Sequence, residues 1–483
     1  MREPSVRAKQ ATPSTRIAPG DFGFEFRDYG PIAEARIVPR RLTVLVGPSG
    51  SGKSFAATAM YAFAHAGQTL LDAVAGDYQL VGHDVAVKAM ISTMASGFKA
   101  DWLGATLSDK QVAARRAWQV KNMVLPGRHL ATLVMSHIER LLEAEKVDLR
   151  RQNAVTGPLV WFGGGSPSAE MAAGANLQPN CFAPHFFNDA GHDLLRTWGA
   201  RQGLSSTADL TPGDTAKAAS VHLIGTMAHA LQTHFGPAPL LFPAGRTGLL
   251  AVSHVVTIAA LTEGFRARGP ISQFLPDFAR AGRAPDGAMA TVVKEIEARL
   301  HGGTIGAQAA AGPMPKLEFN AAGGLTVPME RASSSVAELA PVTFILRKFA
   351  KKDSLVVIEE PEAHLHPDKQ LVLADALARL VRAGVRLVIT THSDLLIRKL
   401  GAIVMETAIA DRAAPARQLG PADLRADEVA VYRFAPSATG GFVAQAEPVN
   451  IEAGLDTDEL AEVDDRLYDE RRKLRERLGN VEA

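Results

Sequence analysis

The sequence predicts an α/β fold: a mixed, mostly parallel sheet with antiparallel strands at its N-terminal side, interrupted by a large, mostly helical insertion. Three observations carry that prediction. An apolar run, Leu42-Thr43-Val44-Leu45-Val46, feeds a glycine-rich segment and then a helix-like stretch from Phe55 to Ala66. Far downstream, Leu355-Val-Val-Ile358 and Val385-Arg-Leu-Val-Ile-Thr390 are short, β-branched, nearly continuous apolar runs, as fully buried parallel strands are. Between them, Pro367 to Gly384 carries Leu371, Leu373, Leu377 and Leu380 on a helix, which makes a right-handed strand–helix–strand crossover.

Taken in chain order, residues 1–20 hold Arg2, Arg7, Lys9, Arg16 and several prolines without an apolar stretch, the composition of a disordered basic tail and not of a signal peptide. Residues 21–75 begin with alternating segments, Phe22 to Arg27 and Ala33 to Ile37, that read as antiparallel strands leading to the glycine-rich loop. Residues 76–236 change character: Trp102 to Val124 and Ala131 to Arg150 are helical in period, and Gly163 to Pro184 is rich in loop formers. Residues 237–445 return to regular structure. A helix is expected from about Thr247 to Arg266 and another from Gly287 to His301, the latter stopped by Gly302-Gly303. Lys316 to Pro328 reads as a hairpin turning at Ala321 to Gly324. Residues 446–483 end in a charged helix, Asp456 to Arg477, which is either a solvated face or a partner-docking segment.

The chemistry starts at Gly47-Pro48-Ser49-Gly50-Ser51-Gly52-Lys53-Ser54, a full match to GxxxxGK[ST] between a strand and a helix. In a phosphate-binding loop the glycines let successive backbone N–H groups converge on a phosphate, helped by the positive end of the following helix. Lys53 is then expected to reach the β- and γ-phosphates and the Ser54 hydroxyl to ligate Mg²⁺. Phe55 completes this candidate nucleotide-contacting set. Leu355 to Ile358 runs into Glu359 and Glu360, so paired carboxylates stand where α/β folds place ligands, at a strand's C-terminal end. Glu359 is the candidate Mg²⁺ holder and Glu360 the candidate base for an attacking water. The next apolar strand ends in Thr390-Thr391-His392-Ser393, where an imidazole is placed to donate a hydrogen bond to a γ-phosphate.

Composition narrows the partners. With 52 Lys and Arg against 51 Asp and Glu, the net charge of +1 gives no global basic field, so nucleic-acid binding is not indicated. A 483-residue chain exceeds one ordinary core. Its single cysteine, Cys181, fits a reducing cytoplasm and excludes an intramolecular disulfide framework. No apolar run reaches membrane-spanning length; the longest, near Leu249 to Leu261, is broken by Ser253, His254 and Thr257.

GPSGSGKS, VVIEEPEAHLHPDKQ and VITTHSD, in that order and with a large insertion between, resemble an ABC-type ATPase. The similarity points to the non-transporter branch that includes SMC, RecF and OLD-type ATPases. The lead-in to the loop and a late FPAGR, which ends at Arg246, resemble small bacterial ATPases of that branch, some of them in anti-phage systems. The resemblance implies an ATPase head that binds ATP and Mg²⁺ and shares its sites across a homodimer or higher homo-oligomer. It implies that Ala332 to Leu339 is the signature segment, with Ser333, Ser334 and Ser335 contacting the partner's nucleotide, although Ser334 and Ser335 stand where glycines are usual. Ser335 with Glu338 also fits a capping box. His364-Leu-His366-Pro367 would be the D-loop, a dimer contact, Gln79 is a weak candidate for the Q-loop glutamine, and Arg246 is left between a contact to a phosphate or the dimer seam and a structural salt bridge.

Three uses of such an ATPase compete. A regulatory switch for a separate effector protein is favoured. A RecF- or SMC-like repair ATPase calls for a long heptad coiled coil or a basic patch; the insertion shows no sustained heptads and the overall charge is balanced, which leaves only a local basic patch open to that reading. An OLD-type nuclease needs a second catalytic domain after His392, and the remaining segment, with Glu462, Asp464 and Asp465 on an expected helix, is too short for one.

Overall fold

The computed structural model describes residues 22–75, 159–162, 170–172, 236–251, 271–308, 314–452, 454–455 and 467–476, with isolated positions between 108 and 114 and at 232. The basic tail, Gln79, Cys181, Glu462 to Asp465 and most of 76–236 lie outside these residues. Among the described residues, a single large sheet runs in the order β5-β4-β1-β2-β13-β12-β3-β11-β10-β6. Its strands are β1 (Phe22–Tyr29), β2 (Ile32–Ile37), β3 (Leu42–Val46), β4 (Leu159–Phe162), β5 (Glu170–Ala172), β6 (Leu240–Phe242), β10 (Leu355–Glu359), β11 (Arg386–Thr391), β12 (Val429–Pro436) and β13 (Phe442–Glu447).

The expected mixture of parallel and antiparallel pairing is present. β1 and β2 form an antiparallel hairpin in the register Phe24↔Ile37. β12, β3, β11, β10 and β6 pair in parallel. β13 joins the two halves, running antiparallel to β12 and parallel to β2. The parallel strands are apolar because both faces are covered: β3 and β10 are buried at every residue. From the interval expected to be a helical insertion, β4 pairs antiparallel with β1, and β5 pairs antiparallel with β4 at the sheet's end.

Helices cover the sheet. α1 (Lys53–Ala75) follows the glycine-rich loop, and its Phe63 packs 5.7 Å from Phe24 of β1. α2 (Ile271–Ala281) and α3 (Ala290–His301) precede a small antiparallel sheet of β7 (Gly303–Gln308), β8 (Lys316–Ala321) and β9 (Thr326–Pro328). Gly302 caps α3 at φ 72°, as its position predicted, and the expected hairpin is β8–β9. β7 adds a third strand that its short, Gly-containing sequence, GTIGAQ, did not announce. α4 (Ser334–Phe349) is buried continuously from Val336 to Arg347. α5 (Pro367–Arg382) is the crossover between β10 and β11, starting on proline; it buries Leu373, Leu377 and Leu380, while Leu371 faces outward. α6 (Asp394–Ala413) follows β11 and is capped by the Ser393 hydroxyl, which accepts from the Leu396 N–H. Residues 467–476 are helical and exposed throughout. Among the described residues no helix is long and apolar enough to cross a membrane.

Candidate nucleotide site

The parallel register brings the C-terminal ends of β3, β11 and β10 side by side. At the end of β3 the chain turns through Gly47 with φ 142°, where a Cβ would lie 2.5 Å from the Phe434 carbonyl oxygen. At Gly52, with φ 100°, a Cβ would lie 2.5 Å from Ile32 Cγ1. The Phe434 backbone thus requires glycine at position 47, and the positive φ with the Ile32 side chain alongside favours it at position 52. Lys53 opens α1 and is almost fully buried; its Nζ donates to the carbonyls of Gly47 at 2.7 Å and Pro48 at 2.8 Å, and to Ser51 Oγ at 3.5 Å. The ammonium therefore sits inside the loop, while Ser49 and Gly50 form its exposed crest. Phe55 packs edge-on against Tyr29, with ring centroids 5.9 Å apart.

Glu359 is the last residue of β10 and only 7% exposed. Burial pushes its carboxyl up, and hydrogen bonds from the Ser54 side chain and the Ala244 N–H pull it back. Two oxygen groups expected to hold a cation, Ser54 and Glu359, thus meet through a side-chain hydrogen bond, one residue along the chain from Lys53. The buried carboxylate is the hard anionic oxygen that Mg²⁺ takes, so this donor set fits a Mg²⁺–ATP site.

Glu360 follows with φ 42°, an uncommon backbone conformation for a residue with a side chain. Its N–H donates to the Thr390 carbonyl at 2.9 Å and to Thr390 Oγ1 at 3.2 Å. That anchor leaves the side chain half-exposed, with Oε1 3.7 Å from His392 Nε2. Glu362, nearly buried, accepts from the Thr391 hydroxyl at 2.6 Å and the His392 N–H at 2.8 Å, fixing the strand end that carries the imidazole. Sequence reasoning missed Glu362 and Thr390. Both lie inside the sequence motifs of the two strand ends, but only the strand pairing shows that they brace Glu360 and His392.

The structure therefore gathers Gly47 to Ser54, Glu359, Glu360 and His392 at one edge. Ser333, Ser334 and Ser335 are not part of that cluster: among the described residues no hydrogen bond or ion pair joins them to it. Ser333 is the N-cap of α4 by backbone geometry, its side chain makes no capping bond, and its Oγ lies 3.1 Å from Ser335 Oγ at the surface. The capping box expected of Ser335 and Glu338 does not form. Glu338 is fully buried and accepts instead from Arg246 and Thr247, because a charge-assisted bond to a buried guanidinium outweighs a cap at an exposed helix start. Arg246 is accordingly a structural ion-pair partner, fully buried, and not a group free to reach a phosphate. His364 and His366 are exposed beyond Glu362; the His366 Nδ1 accepts from the Asp368 N–H at 3.4 Å at the start of α5.

Residues 289–397, from α3 into α6, match the family model AAA_15, described as an AAA ATPase domain. The match includes the Ser333 segment, β10 and β11. Among solved structures, the SMC head domain from Thermotoga maritima is 9% identical at a TM-score of 0.33, over 89% of this chain and 99% of that one. The Smc head domain with an extended coiled coil, bound to the C-terminal domain of ScpA derived from Pyrococcus furiosus, is 12% identical at a TM-score of 0.33. It covers 93% of this chain and 100% of that one. No curated protein matches the chain.

Proposed function

We propose that this P-loop ATPase works as a dimeric, Mg²⁺-dependent switch that controls a separate effector protein. The single observation that carries the site assignment is the meeting of Ser54 with buried Glu359, beside Lys53 in the loop and Glu360 against His392. In this reading the loop amides and Lys53 Nζ bind the phosphates of ATP, and the ammonium offsets charge as it develops on the transferred phosphoryl group. Ser54 and Glu359 would hold Mg²⁺, which supplies charge neutralisation on the β- and γ-phosphate oxygens. Glu360 accepts a proton from the attacking water at a carboxylate oxygen, and His392 donates from Nε2 toward the γ-phosphate.

The Ser333 to Ser335 helix start, exposed at Ser333 and Ser334 and joined to the chain's own loop by no hydrogen bond among the described residues, suits an anion carried by a second copy, with backbone N–H groups and hydroxyls as donors. Each nucleotide is then buried between two chains, so its presence biases how they pack. Cytoplasmic placement belongs to this proposal, as does a setting such as bacterial anti-phage defence, which rests on sequence resemblance alone.

Replacing Glu360 by glutamine tests the assignment. The amide keeps the shape but cannot take the proton, so turnover is expected to fall by about 10²–10⁴-fold. ATP binding should persist and a larger species accumulate in light scattering. Wild-type turnover in Glu360→Gln would sink the catalytic assignment. Mixing Ser333→Arg chains with Lys53→Ala chains tests the shared site: one intact composite site should form and restore part of the activity, and no recovery would refute sharing.

A further inference from the structure

Arg246 sits just past β6, reached through a turn at Gly245 with φ 67°. Its guanidinium is wholly buried, and its donors go to five acceptors on four residues. Nη1 donates to the carbonyls of Pro243 at 2.8 Å and Glu359 at 2.7 Å. Nη2 donates to the Glu360 carbonyl at 3.2 Å and pairs with Glu338 Oε1 at 3.1 Å, and Nε donates to the Glu338 carbonyl at 3.1 Å. Glu338 is equally engaged. Its Oε1 accepts from the Arg246 N–H at 3.0 Å, and its Oε2 from the Thr247 N–H at 3.1 Å and hydroxyl at 2.6 Å.

A buried ion pair is weak evidence for stability, since an apolar pair of the same volume often serves the fold as well. What this pair supplies is geometry. The planar fork grips both carbonyls of the Glu359–Glu360 turn, including that of the residue held at φ 42°, and its counter-ion belongs to the helix that begins with the serine segment. Strained backbone persists only where its surroundings over-determine it, and here Thr390 holds the Glu360 N–H while Arg246 holds its carbonyl.

We infer that Arg246 and Glu338 are positioning residues that clamp the Glu359–Glu360 turn to the first turns of α4, so the candidate catalytic edge and the Ser333–Ser335 helix start of one chain move as one unit. The inference rests on the reading of these two segments as the chain's own catalytic edge and its contact to a second nucleotide. Under that reading the clamp links the two nucleotides of a dimer: a helix start that engages one nucleotide carries with it the carboxylates serving the other.

The test uses the full chain with Arg246→Lys, which keeps the charge and loses the fork, and Glu338→Gln, which keeps a carbonyl acceptor and loses the charge. ATP affinity, read with a fluorescent ATP analogue, is expected to stay near wild type, since the P-loop is untouched. The kcat is expected to fall about 10- to 100-fold in each variant, the effect of a small misplacement of an intact catalytic group. The double variant should be no slower than the worse single variant, because the two residues act as one clamp. Unchanged kcat in either folded variant, independent multiplication of the two losses, or a loss of ATP affinity as large as the loss in kcat would overturn the inference. Failure of both variants to fold would do the same, reducing the pair to a fold element. The catalytic reading fails separately, through wild-type turnover in Glu360→Gln, and non-additivity between positions 246 and 338 still reports on the clamp in that case.

Discussion

Helix α4 is fastened at both ends by a buried arginine–carboxylate pair, and the two pairs face different parts of the molecule. At the N-terminal end, Glu338 of the helix holds Arg246, whose other bonds go to the backbone of Glu359 and Glu360. At the C-terminal end, Arg347 of the helix donates through Nη1 to Glu297 Oε1 at 3.2 Å and Oε2 at 3.1 Å, and its Nε lies 3.2 Å from Asp286 Oδ1. Glu297 in turn accepts from the Ile305 N–H, so this second pair ties α4 to α3 and β7. Residue types and burial are alike. What separates the pairs is the identity of the remaining acceptors: site backbone at one end, helix and small-sheet scaffold at the other. Ion-pair burial alone therefore does not tell a positioning device from a brace; the next shell of bonds does.

The largest effect that would break this contrast is at the scaffold end. Arg347→Met leaves the fully buried Glu297 without its counter-ion, and removing one member of a buried pair costs about 3–5 kcal/mol. Denaturant unfolding should show that loss, while kcat per folded molecule stays at the wild-type value because no bond of Arg347 reaches the candidate site. Adding Glu297→Leu to Arg347→Met should return most of the stability, since the uncompensated charge is then gone. A fall in kcat with unchanged stability would show that both ends of α4 serve the site, and the contrast would be lost.

This contrast also marks where sequence reading stops. The buried strands and their acidic or histidine ends were legible because each is contiguous: Leu355 to Glu360 states a buried strand and the carboxylates at its end in six letters. The P-loop was legible for the same reason, and Gly302 announced the end of α3. The pairs on α4 were not, because Arg246 and Glu338 lie 92 positions apart and Arg347 and Glu297 lie 50 apart. Locally, Glu338 three residues after Ser335 satisfies a capping pattern, and only the tertiary partner decides that the carboxylate turns inward instead. Glu362 was equally ambiguous: within EEPE it looks like a surface acid, and the β10–β11 register turns it toward Thr391 and His392. The ends of strands could be read along the chain; what braces them crosses it.

The smallest expected effect sharpens the scaffold end further, by separating its buried pair from the half-exposed group beside it. Asp286 bridges three cations: Oδ1 lies 2.8 Å from Lys348 Nζ and 3.2 Å from Arg347 Nε, and Oδ2 lies 2.8 Å from Lys294 Nζ. Partial burial disfavours its charge, yet bonds from Lys294 and Lys348 and the nearby Arg347 win and hold its carboxyl at about 2. A carboxyl lowered in the folded state contributes stability that is present above its unfolded value and lost as pH falls through the folded one. The contribution of Asp286 is therefore complete at pH 5, and fades from near 3.8 toward about 2. Because the group stays in contact with solvent, Asp286→Asn should cost only about 1 kcal/mol or less at neutral pH, and less still at high salt. Unfolding curves for wild type and variant should converge as pH falls to that range. A gap that persists unchanged down to pH about 2 would mean that packing, and not charge, is what Asp286 contributes. A gap at neutral pH as large as that of Arg347→Met would place Asp286 in the buried brace itself.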